Sequence, residues 1–464
     1  MTPSRGVEPL FQSGETVAVL GLGVSGTAAA RLVHAQGGSV YASDAHDGPG
    51  QAEAVARLRA EGIDAEAGRH DLERILECRV VIASPGIDPT TEVCLAIAEA
   101  DLQTVAEIEV AFRFLRSRVI GITGTNGKTT ATALCGHLLH GAGLDALTAG
   151  NIGRPLSEVA LLERQPDWVV VELSSFQLAD IETFNADIGV LLNLAPDHLD
   201  RYPSRERYYD DKRRLFMNAS DESRWVINLD DAEVVEMAKG VPGRQYGTSL
   251  EPRAGDGAFL EESWLVQRLG GREDRWTSCD DLHLVGRHNV MNALQAGLAA
   301  ALAGCEPETI GGSLPTFQGL PHRLHSIGVF DGVRWVNDSK GTNVSAARVA
   351  IRAFAQPVIV VLGGRHKGEA YTSLLPALEE HARAVIAFGE AAPQIVRELG
   401  EHVPLQVASG IDSVVRRAKS VAEEGDVVVF SPACSSFDMF PNYKERGLAF
   451  ERAVHALHEG ASVA

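Results

Sequence analysis

The stretch VIGITGTNGKTT, residues 119–130, decides how this chain is read. An apolar strand pattern runs straight into a glycine-rich turn ending in Lys128, Thr129 and Thr130, and a helical pattern follows from Ala131 to His140. Glycines let backbone N–H groups turn inward around phosphate oxygens, and the helix N-terminus behind them adds a favourable dipole. Lys128 would reach the β- and γ-phosphates, and the Thr129 hydroxyl would sit on Mg²⁺. The spacing departs from the usual one: the first glycine belongs at 122, where this chain has Ile122, and glycines fall at 121 and 124. The competing reading is a chance glycine-rich turn before a helix.

A chain of 464 residues exceeds one ordinary core, so several domains are expected. Acidic residues outnumber basic ones by 62 to 42, a formal charge of −20. That balance argues against a nucleic-acid or anionic-membrane surface, since both need a basic footprint. An anionic substrate must then be held by local Lys, Arg and N–H groups. Cys78, Cys94, Cys135, Cys279, Cys305 and Cys434 are scattered without metal-like spacing and read as buried small apolar residues in a reducing cytosol. With no signal-like N-terminus and no membrane-length apolar run, the expectation is a soluble cytoplasmic protein.

The fold class is α/β in three domains. Residues 1–106 carry TVAVLGLGVSG (16–26), a buried strand leading into Gly21-x-Gly23-x-x-Gly26, then a helical pattern 27–36 and a second strand ending in Asp44. This is the Rossmann-like dinucleotide fingerprint, although the motif alone is weak evidence. Residues 107–319 form a P-loop ATPase-like central domain, with further buried strands at 168–173 and 188–193, antiparallel pieces over 249–281 and an Ala-rich helix at 293–303 opened by GRHNVMN. The Pro- and Gly-containing stretch 316–323 reads as a linker and hinge. Residues 320–464 alternate strands (357–362, 384–388, 426–431) with helices and read as a second Rossmann-like domain. Arg113, Arg116 and Arg118 read as a charged helix end rather than a binding patch.

Several strand-end loops carry chemistry. Glu172 ends an apolar strand where P-loop enzymes place the acid that handles Mg²⁺; a helix cap is the plainer reading. Residues 193–200 place His198 between Asp197 and Asp200, and a second metal site becomes attractive beside a P-loop. A structural histidine is the alternative. Asp338, Lys340 and Thr342 could meet a nucleotide or a carboxylate, or form an ordinary turn. The loops 363–368 and 431–440 suit something small and anionic.

Taken together these loops resemble the Mur ligase family. The carrying segments are GITGTNGKTT (121–130), GNIG (150–153), ELSSFQL (172–178), PDHLDRYPS (196–204), GRHNVMNALQA (286–296), GLPHR (319–323), NDSKGTN (337–343), GGRHKG (363–368) and SPACSSFDMFPNYKERG (431–447). They span all three domains in the family's order, and the last segment with the Ser-Lys-Gly-Thr-Asn loop points to its glutamate-adding branch. The resemblance implies that the first domain binds the uridine diphosphate of UDP-N-acetylmuramoyl-L-alanine through Val24, Ser25, Asp44 and Gly86, with Asn151 and Ser174 on the rest of that substrate. ATP would lie on Gly124, Thr125, Asn126, Gly127, Lys128, Thr129 and Thr130, its adenosine between Asn289, Asn292, Arg323 and Asp338. Two Mg²⁺ sites would draw on Thr129, Glu172, His198 and Lys212. Lys212 matches the lysine that the family carbamylates with CO₂; an unmodified lysine on a charged helix is the other reading. Thr342, Lys367, Ser436, Phe437 and Tyr443 would hold D-glutamate, Tyr443 standing where Phe is common, and Lys340 would join Lys128, Glu172, His198 and Lys212 in the chemistry. A monomer is expected, with neither nucleic acid nor membrane as partner.

Other classes leave residues without work. A folate-type glutamate ligase needs no GxGxxG domain ahead of its P-loop. A nicotinamide-dependent dehydrogenase would leave Lys128, Glu172 and His198 idle, and a GTPase switch would want an Asn-Lys-x-Asp motif that this chain lacks.

Overall fold

The computed structural model describes residues 7–198 and 201–459, so Asp200 of the His198 loop lies outside the described residues. Three sheets organise them. In the first, Thr16–Leu20 is central among five parallel strands, with Ser39–Asp44 and Asp64–Ala67 on one side and Val80–Ala83 and Thr104–Ala106 on the other. The strand order reverses at Thr16–Leu20, which opens a crevice at its carboxyl end. Helix Val24–Ala35 starts there, earlier than the apolar pattern suggested. A Cβ added to Gly26 would lie 1.8 Å from the Gly21 carbonyl oxygen, so only glycine lets this helix approach the strand.

The second sheet has nine strands, with Arg118–Thr123 inside it between Ile188–Leu191 and Trp168–Glu172, all parallel. Trp168–Glu172 and Ile188–Leu191 are buried throughout, as strands covered on both faces must be. Ala146–Gly150 forms one edge. On the other side Arg224–Asn228 and Arg244–Ser249 continue the parallel array. Gly257–Glu261 and Trp264–Leu269 then pair antiparallel, as expected for this stretch, and Arg272–Ser278 closes the edge.

The third sheet pairs the hairpin His325–Phe330 and Val333–Asn337 with the parallel strands Val427–Phe430, Val358–Gly363, Ala382–Phe388 and Leu405–Val407. Val358–Gly363 is buried at all six positions. Apolar side chains cover it on both faces, Val360 and Leu362 in one cluster with Tyr371 and Ile395, Ile359 and Val361 in another with Phe430 and Phe450.

The chain forms two compact units. One comprises the described residues up to 194 with 206–276 and 294–313; the other comprises 195–205, 277–293 and 314 onward among the described residues. The first two sheets therefore share a unit. Helix Glu107–Phe114 joins them, and Arg113 lies in its last turn, at a helix end as expected. Arg113 is buried, its Nε 2.9 Å from Glu109 and its Nη2 3.0 Å from Glu182, while Arg118 lies over the Trp168 ring. All six cysteines are free thiols; Cys78, Cys135, Cys305 and Cys434 are buried as expected, but Cys94 and Cys279 are half-exposed. Helix Arg287–Ala303 takes in the polar GRHNVMN opening that the Ala-rich pattern left outside it. No helix among the described residues is long and apolar enough to cross a membrane.

Candidate active site

In the first unit, the phosphate loop leaves the carboxyl end of Arg118–Thr123 and ends at helix Lys128–Gly141. Gly124 has φ 151°, and a Cβ there would sit 2.9 Å from that of Leu192, so glycine is required although the motif is shifted by one. Asn193 holds the loop's shape. Its carbonyl accepts the Thr125 N–H (2.9 Å), its Oδ1 accepts the Asn126 N–H (2.9 Å), and its Nδ2 donates to the Asn126 carbonyl (2.9 Å). Tyr208 adds a hydroxyl contact to Thr125 Oγ1 at 3.3 Å. Sequence reading missed both residues, because their partners lie 67 and 83 positions away.

Two lysines meet at this loop. Lys128 Nζ donates to the carbonyls of Gly124 (2.9 Å) and Thr125 (2.8 Å), and Lys212 Nζ donates to the same Gly124 carbonyl at 2.8 Å. Lys212 lies on helix Arg205–Arg213 and is 1 % exposed, with its ammonium 4.7 Å from the centre of the Tyr208 ring. Thr129 and Thr130 open the helix.

Glu172 ends the adjacent strand and is 2 % exposed. Its Oε1 accepts Asn151 Nδ2 at 3.0 Å, and its carbonyl accepts the Asn151 N–H at 2.9 Å, so the GNIG turn orients the carboxylate. Ser174 caps the short helix Ser175–Ala179 in a reciprocal box with Gln177.

The first sheet places the remaining residues of this unit at its carboxyl edge. Burial alone would raise Asp44, but the N–H groups of Leu22 (2.8 Å) and His46 (2.9 Å) and the His46 ring outweigh it and hold the carboxyl below its ordinary value. Val24 is 64 % exposed on the glycine turn, Ser25 is half-buried and Gly86 is exposed.

In the second unit, His198 stands in the left-handed region (φ 56°) and its N–H donates to Asp197 Oδ1 at 2.9 Å. Asp197 is buried, accepts Asn343 Nδ2 at 2.8 Å and faces Lys367 Nζ at 3.8 Å. Asn289 and Asn292 are buried and bonded to each other at 3.0 Å on helix Arg287–Ala303. Burial pushes Asp338 up to about 7 although it accepts Ser431 Oγ (2.7 Å) and the Leu324 N–H (3.2 Å), with Arg323 as a further cation nearby. Lys340 Nζ lies 4.2 Å from the centre of the Tyr443 ring, which also meets His322 edge-on. Thr342 is half-buried, Ser436 is buried and Phe437 is 64 % exposed. Among the described residues no three His, Cys, Asp or Glu side chains gather as a metal cluster.

A phosphate loop on a parallel sheet, beside a second α/β sheet with a glycine fingerprint, defines an α/β protein built for phosphate-bearing ligands. Family models match three consecutive stretches: the Mur ligase MurD-like N-terminal domain over 15–106, the Mur ligase middle domain over 122–300 and the Mur ligase glutamate ligase domain over 322–434. The chain is 40 % identical to the UDP-N-acetylmuramoylalanine–D-glutamate ligase of Salinibacter ruber, covering 95 % of this chain and 97 % of that one. It is 38 % identical to the enzyme of the same name from Myxococcus xanthus, covering 97 % and 100 %. The chain belongs to the Mur ligase family. Its fold is shared with the pseudomurein peptide ligase type C of Methanothermus fervidus (TM-score 0.61, 19 % identity, 95 % and 100 % coverage). It is also shared with the UDP-N-acetylmuramate–alanine ligase of Thermotoga maritima (TM-score 0.58, 18 % identity, 96 % and 100 % coverage).

Proposed function

We propose that this chain joins the alanyl carboxylate of UDP-N-acetylmuramoyl-L-alanine to the amine of D-glutamate at the expense of ATP, as a cytoplasmic monomer divided near residues 106 and 319 into three domains. The observation that carries the reading is the convergence of Lys128 and buried Lys212 on the Gly124 carbonyl. A plain nucleotide-binding loop needs only the first lysine.

The carboxylate oxygen attacks the γ-phosphorus of ATP, the bond to the β,γ-bridging oxygen breaks, and ADP leaves an acyl phosphate. The glutamate amine then attacks the acyl carbon, loses its proton, and phosphate departs from the tetrahedral intermediate. Lys128 leaves its loop carbonyls for the γ-phosphoryl oxygens and offsets charge spreading over them. The N–H groups of Gly124 to Thr130 hold the phosphates, with Asn193 fixing the turn. Asn289, Asn292, Arg323 and Asp338 take the adenosine. Val24, Ser25, Asp44 and Gly86 take the uridine diphosphate, Asn151 and Ser174 the adjoining part. Thr342, Lys367, Ser436, Phe437 and Tyr443 hold glutamate, and Lys340 takes the departing phosphate's charge.

The donor set fits Mg²⁺ only in part as it stands. Thr129 and Glu172 supply oxygens and His198 a nitrogen, whereas an ammonium at Lys212 supplies nothing. Attack of a deprotonated Lys212 amine on CO₂, with loss of its second proton, would make a carbamate and give the set an anionic ligand. Thr129, Glu172 and a carbamylated Lys212 would hold Mg²⁺, which would supply charge neutralisation of the phosphates.

The test mixes purified protein, ATP, Mg²⁺ and UDP-N-acetylmuramoyl-L-alanine with a panel of D- and L-amino acids and follows phosphate release. D-Glutamate alone should support turnover. No ADP with D-glutamate, or equal turnover with L-glutamate, refutes the reading.

A further inference from the structure

Side chains, not backbone bonds, hold the loop that carries Lys367. Among the described residues, none of the N–H groups of residues 366–370 donates a hydrogen bond. The Arg365 N–H before them reaches the Ser435 carbonyl (2.9 Å), and the Tyr371 N–H after them reaches Glu398 Oε2 (2.6 Å). Across this gap Nδ1 of the half-buried His366 ring meets the buried Tyr371 hydroxyl at 3.1 Å, and the same hydroxyl meets Cys434 Sγ at 2.9 Å. Cys434 lies on the facing loop, two residues before Ser436. Backbone bonds stitch the two loops at their base: the Gly363 N–H donates to the Pro432 carbonyl (2.9 Å), and the Ser435 N–H donates to the Arg365 carbonyl (3.0 Å). Beyond that stitch, the Tyr371 hydroxyl joins them again.

The hydrogen bonds around this hydroxyl run in one direction. A carboxylate oxygen accepts, so the Gln394 atom 2.8 Å from Glu398 Oε1 is its amide nitrogen. That nitrogen also lies 3.2 Å from His366 Nε2, which therefore accepts, and the imidazole hydrogen is assigned to Nδ1. Nδ1–H donates to the Tyr371 oxygen, and the Tyr371 hydrogen goes to the Cys434 sulfur. Burial pushes the Cys434 thiol up to about 11 and raises the Tyr371 hydroxyl above its ordinary range, so both stay neutral. Helix Ala392–Leu399 presents Gln394 and Glu398 one turn apart on the same face, and the Tyr371 N–H closes the circuit on Glu398.

We infer, on the proposed placement of glutamate at Lys367 and Ser436, that Tyr371 is a positioning residue for the incoming amino acid. Its hydroxyl, held between His366 and Cys434, fixes Lys367 and Ser436 at the spacing at which both meet that substrate. Removing the hydroxyl leaves residues 366–370 tied at their ends but not across them, and the His366 N–H loses its partner in a shielded place. A phenylalanine ring fills nearly the same volume, so the apolar cluster with Leu374 and Ile395 keeps its packing. The phosphate loop belongs to the other compact unit, so the loss falls on the amino acid and not on ATP.

The experiment measures KM for D-glutamate and for ATP at saturating muramyl substrate in the full chain, with melting temperatures alongside. The proteins are the wild type, Tyr371→Phe, Cys434→Ala, Cys434→Ser, the double variant Tyr371→Phe/Cys434→Ala and Lys367→Met. Tyr371→Phe and Cys434→Ala should each raise the KM for D-glutamate about fivefold, with kcat and the KM for ATP within about twofold. The double variant should be no worse than either single one, because both remove the same bond. Cys434→Ser keeps an acceptor for the hydroxyl and should return the KM to within about twofold of the wild type. A wild-type glutamate KM in Tyr371→Phe, while Lys367→Met raises it, overturns the inference and leaves glutamate on Lys367. Additive effects in the double variant, or a rise in the KM for ATP equal to that for glutamate, also overturn it, since they mark general loss of packing. If Tyr371→Phe does not fold, Cys434→Ala set against Cys434→Ser gives the same decision. An unchanged glutamate KM in Lys367→Met overturns the placement of glutamate and the role of Tyr371 with it.

Discussion

Glu107→Gln tests the electrostatics of the first unit. Glu107 lies in the first turn of helix Glu107–Phe114, where its Oε1 accepts the Ser157 N–H at 2.6 Å and its Oε2 has no hydrogen-bond partner. Burial pushes its carboxyl from 4.5 up to about 7. Its folded value is raised, so the native state keeps a proton that the unfolded chain releases from pH 4.5 upward. The resulting stability is fully present below 4.5 and is lost as pH rises through 7. One pKa unit is worth about 1.4 kcal/mol, so the shift amounts to on the order of 3 kcal/mol, of which about 2 to 3 kcal/mol disappears between pH 5 and pH 8. Glutamine keeps the acceptor and cannot ionise. Its amide group, facing the place of Oε2, costs about 1 kcal/mol at every pH and cancels from the slope.

Urea unfolding of the first unit is the assay, read by the fluorescence of the fully buried Trp168 and Trp225 at several pH values. Relative to the wild type, the variant should gain about 2 to 3 kcal/mol from pH 5 to pH 8, or roughly 5 °C in Tm. Asp180, pushed up to about 6 by burial and the Asp211 charge, titrates alike in both proteins and drops out. A stability difference that does not change with pH would show that Glu107 is ionised in the native state, and the burial argument would fail.

Lys128→Ala should cut phosphate release at least a hundredfold with little change in melting temperature, since it removes charge facing the transferred group; turnover near wild type would remove it from the chemistry. Lys212→Ala should lose comparable activity and recover part of it with short carboxylic acids, which replace the carbamate; full activity without added acid counts against carbamylation. Asn193→Ala strips two side-chain bonds from the phosphate loop and should raise the KM for ATP about tenfold while leaving that for glutamate within twofold, measured by steady-state kinetics.

The local parts of the site were legible because their requirements are local. A strand, a glycine turn and a lysine before a helix specify a phosphate loop within a dozen residues, and the shift of one glycine did no harm. Gly124, not residue 122, makes the close approach to Leu192. The same reasoning singled out Glu172 and His198 as candidates, and the structure puts Glu172 at the end of a buried strand. What stayed hidden depends on pairs far apart in sequence. Nothing near Asn193 announces that both ends of its amide grip residue 126, and nothing near Asp197 announces Asn343, 146 positions on. The arginine cluster was legible as a helix end, Arg113 lying in the last turn, but its burial with Glu109 across one helical turn was not. Helix Arg287–Ala303 takes in Asn289 and Asn292, whose side chains are tied up by the Val285 carbonyl (2.8 Å) and by each other (3.0 Å), partners that the Ala-rich pattern does not show.

Glu109 explains why the first two sheets form one unit. The carboxylate is fully buried and gathers the N–H groups of Glu182 (2.9 Å), Thr183 (3.0 Å) and Phe184 (2.9 Å) on Oε2, with Arg113 Nε and the Thr183 hydroxyl on Oε1. Arg113 in turn reaches Glu182 and the Glu8 carbonyl. An apolar contact of the same size would hold the sheets together, but it would tolerate sliding, because dispersion has no direction. Five directed bonds to one carboxylate do not, and removing a partner from such a buried ionic cluster costs about 3–5 kcal/mol. The segment so pinned, 182–184, runs directly into the strand Ile188–Leu191 whose end supplies Asn193 to the phosphate loop. The helix that carries Glu109 follows directly from the edge strand Thr104–Ala106 of the first sheet. The cluster thus fixes the register between the glycine turn of the first sheet and the phosphate loop of the second, the two places proposed for the nucleotide diphosphate and the triphosphate. A reaction that needs a carboxylate and a phosphorus atom at near-contact distance depends on that register, because an error of about 1 Å is enough to cost two orders of magnitude in rate.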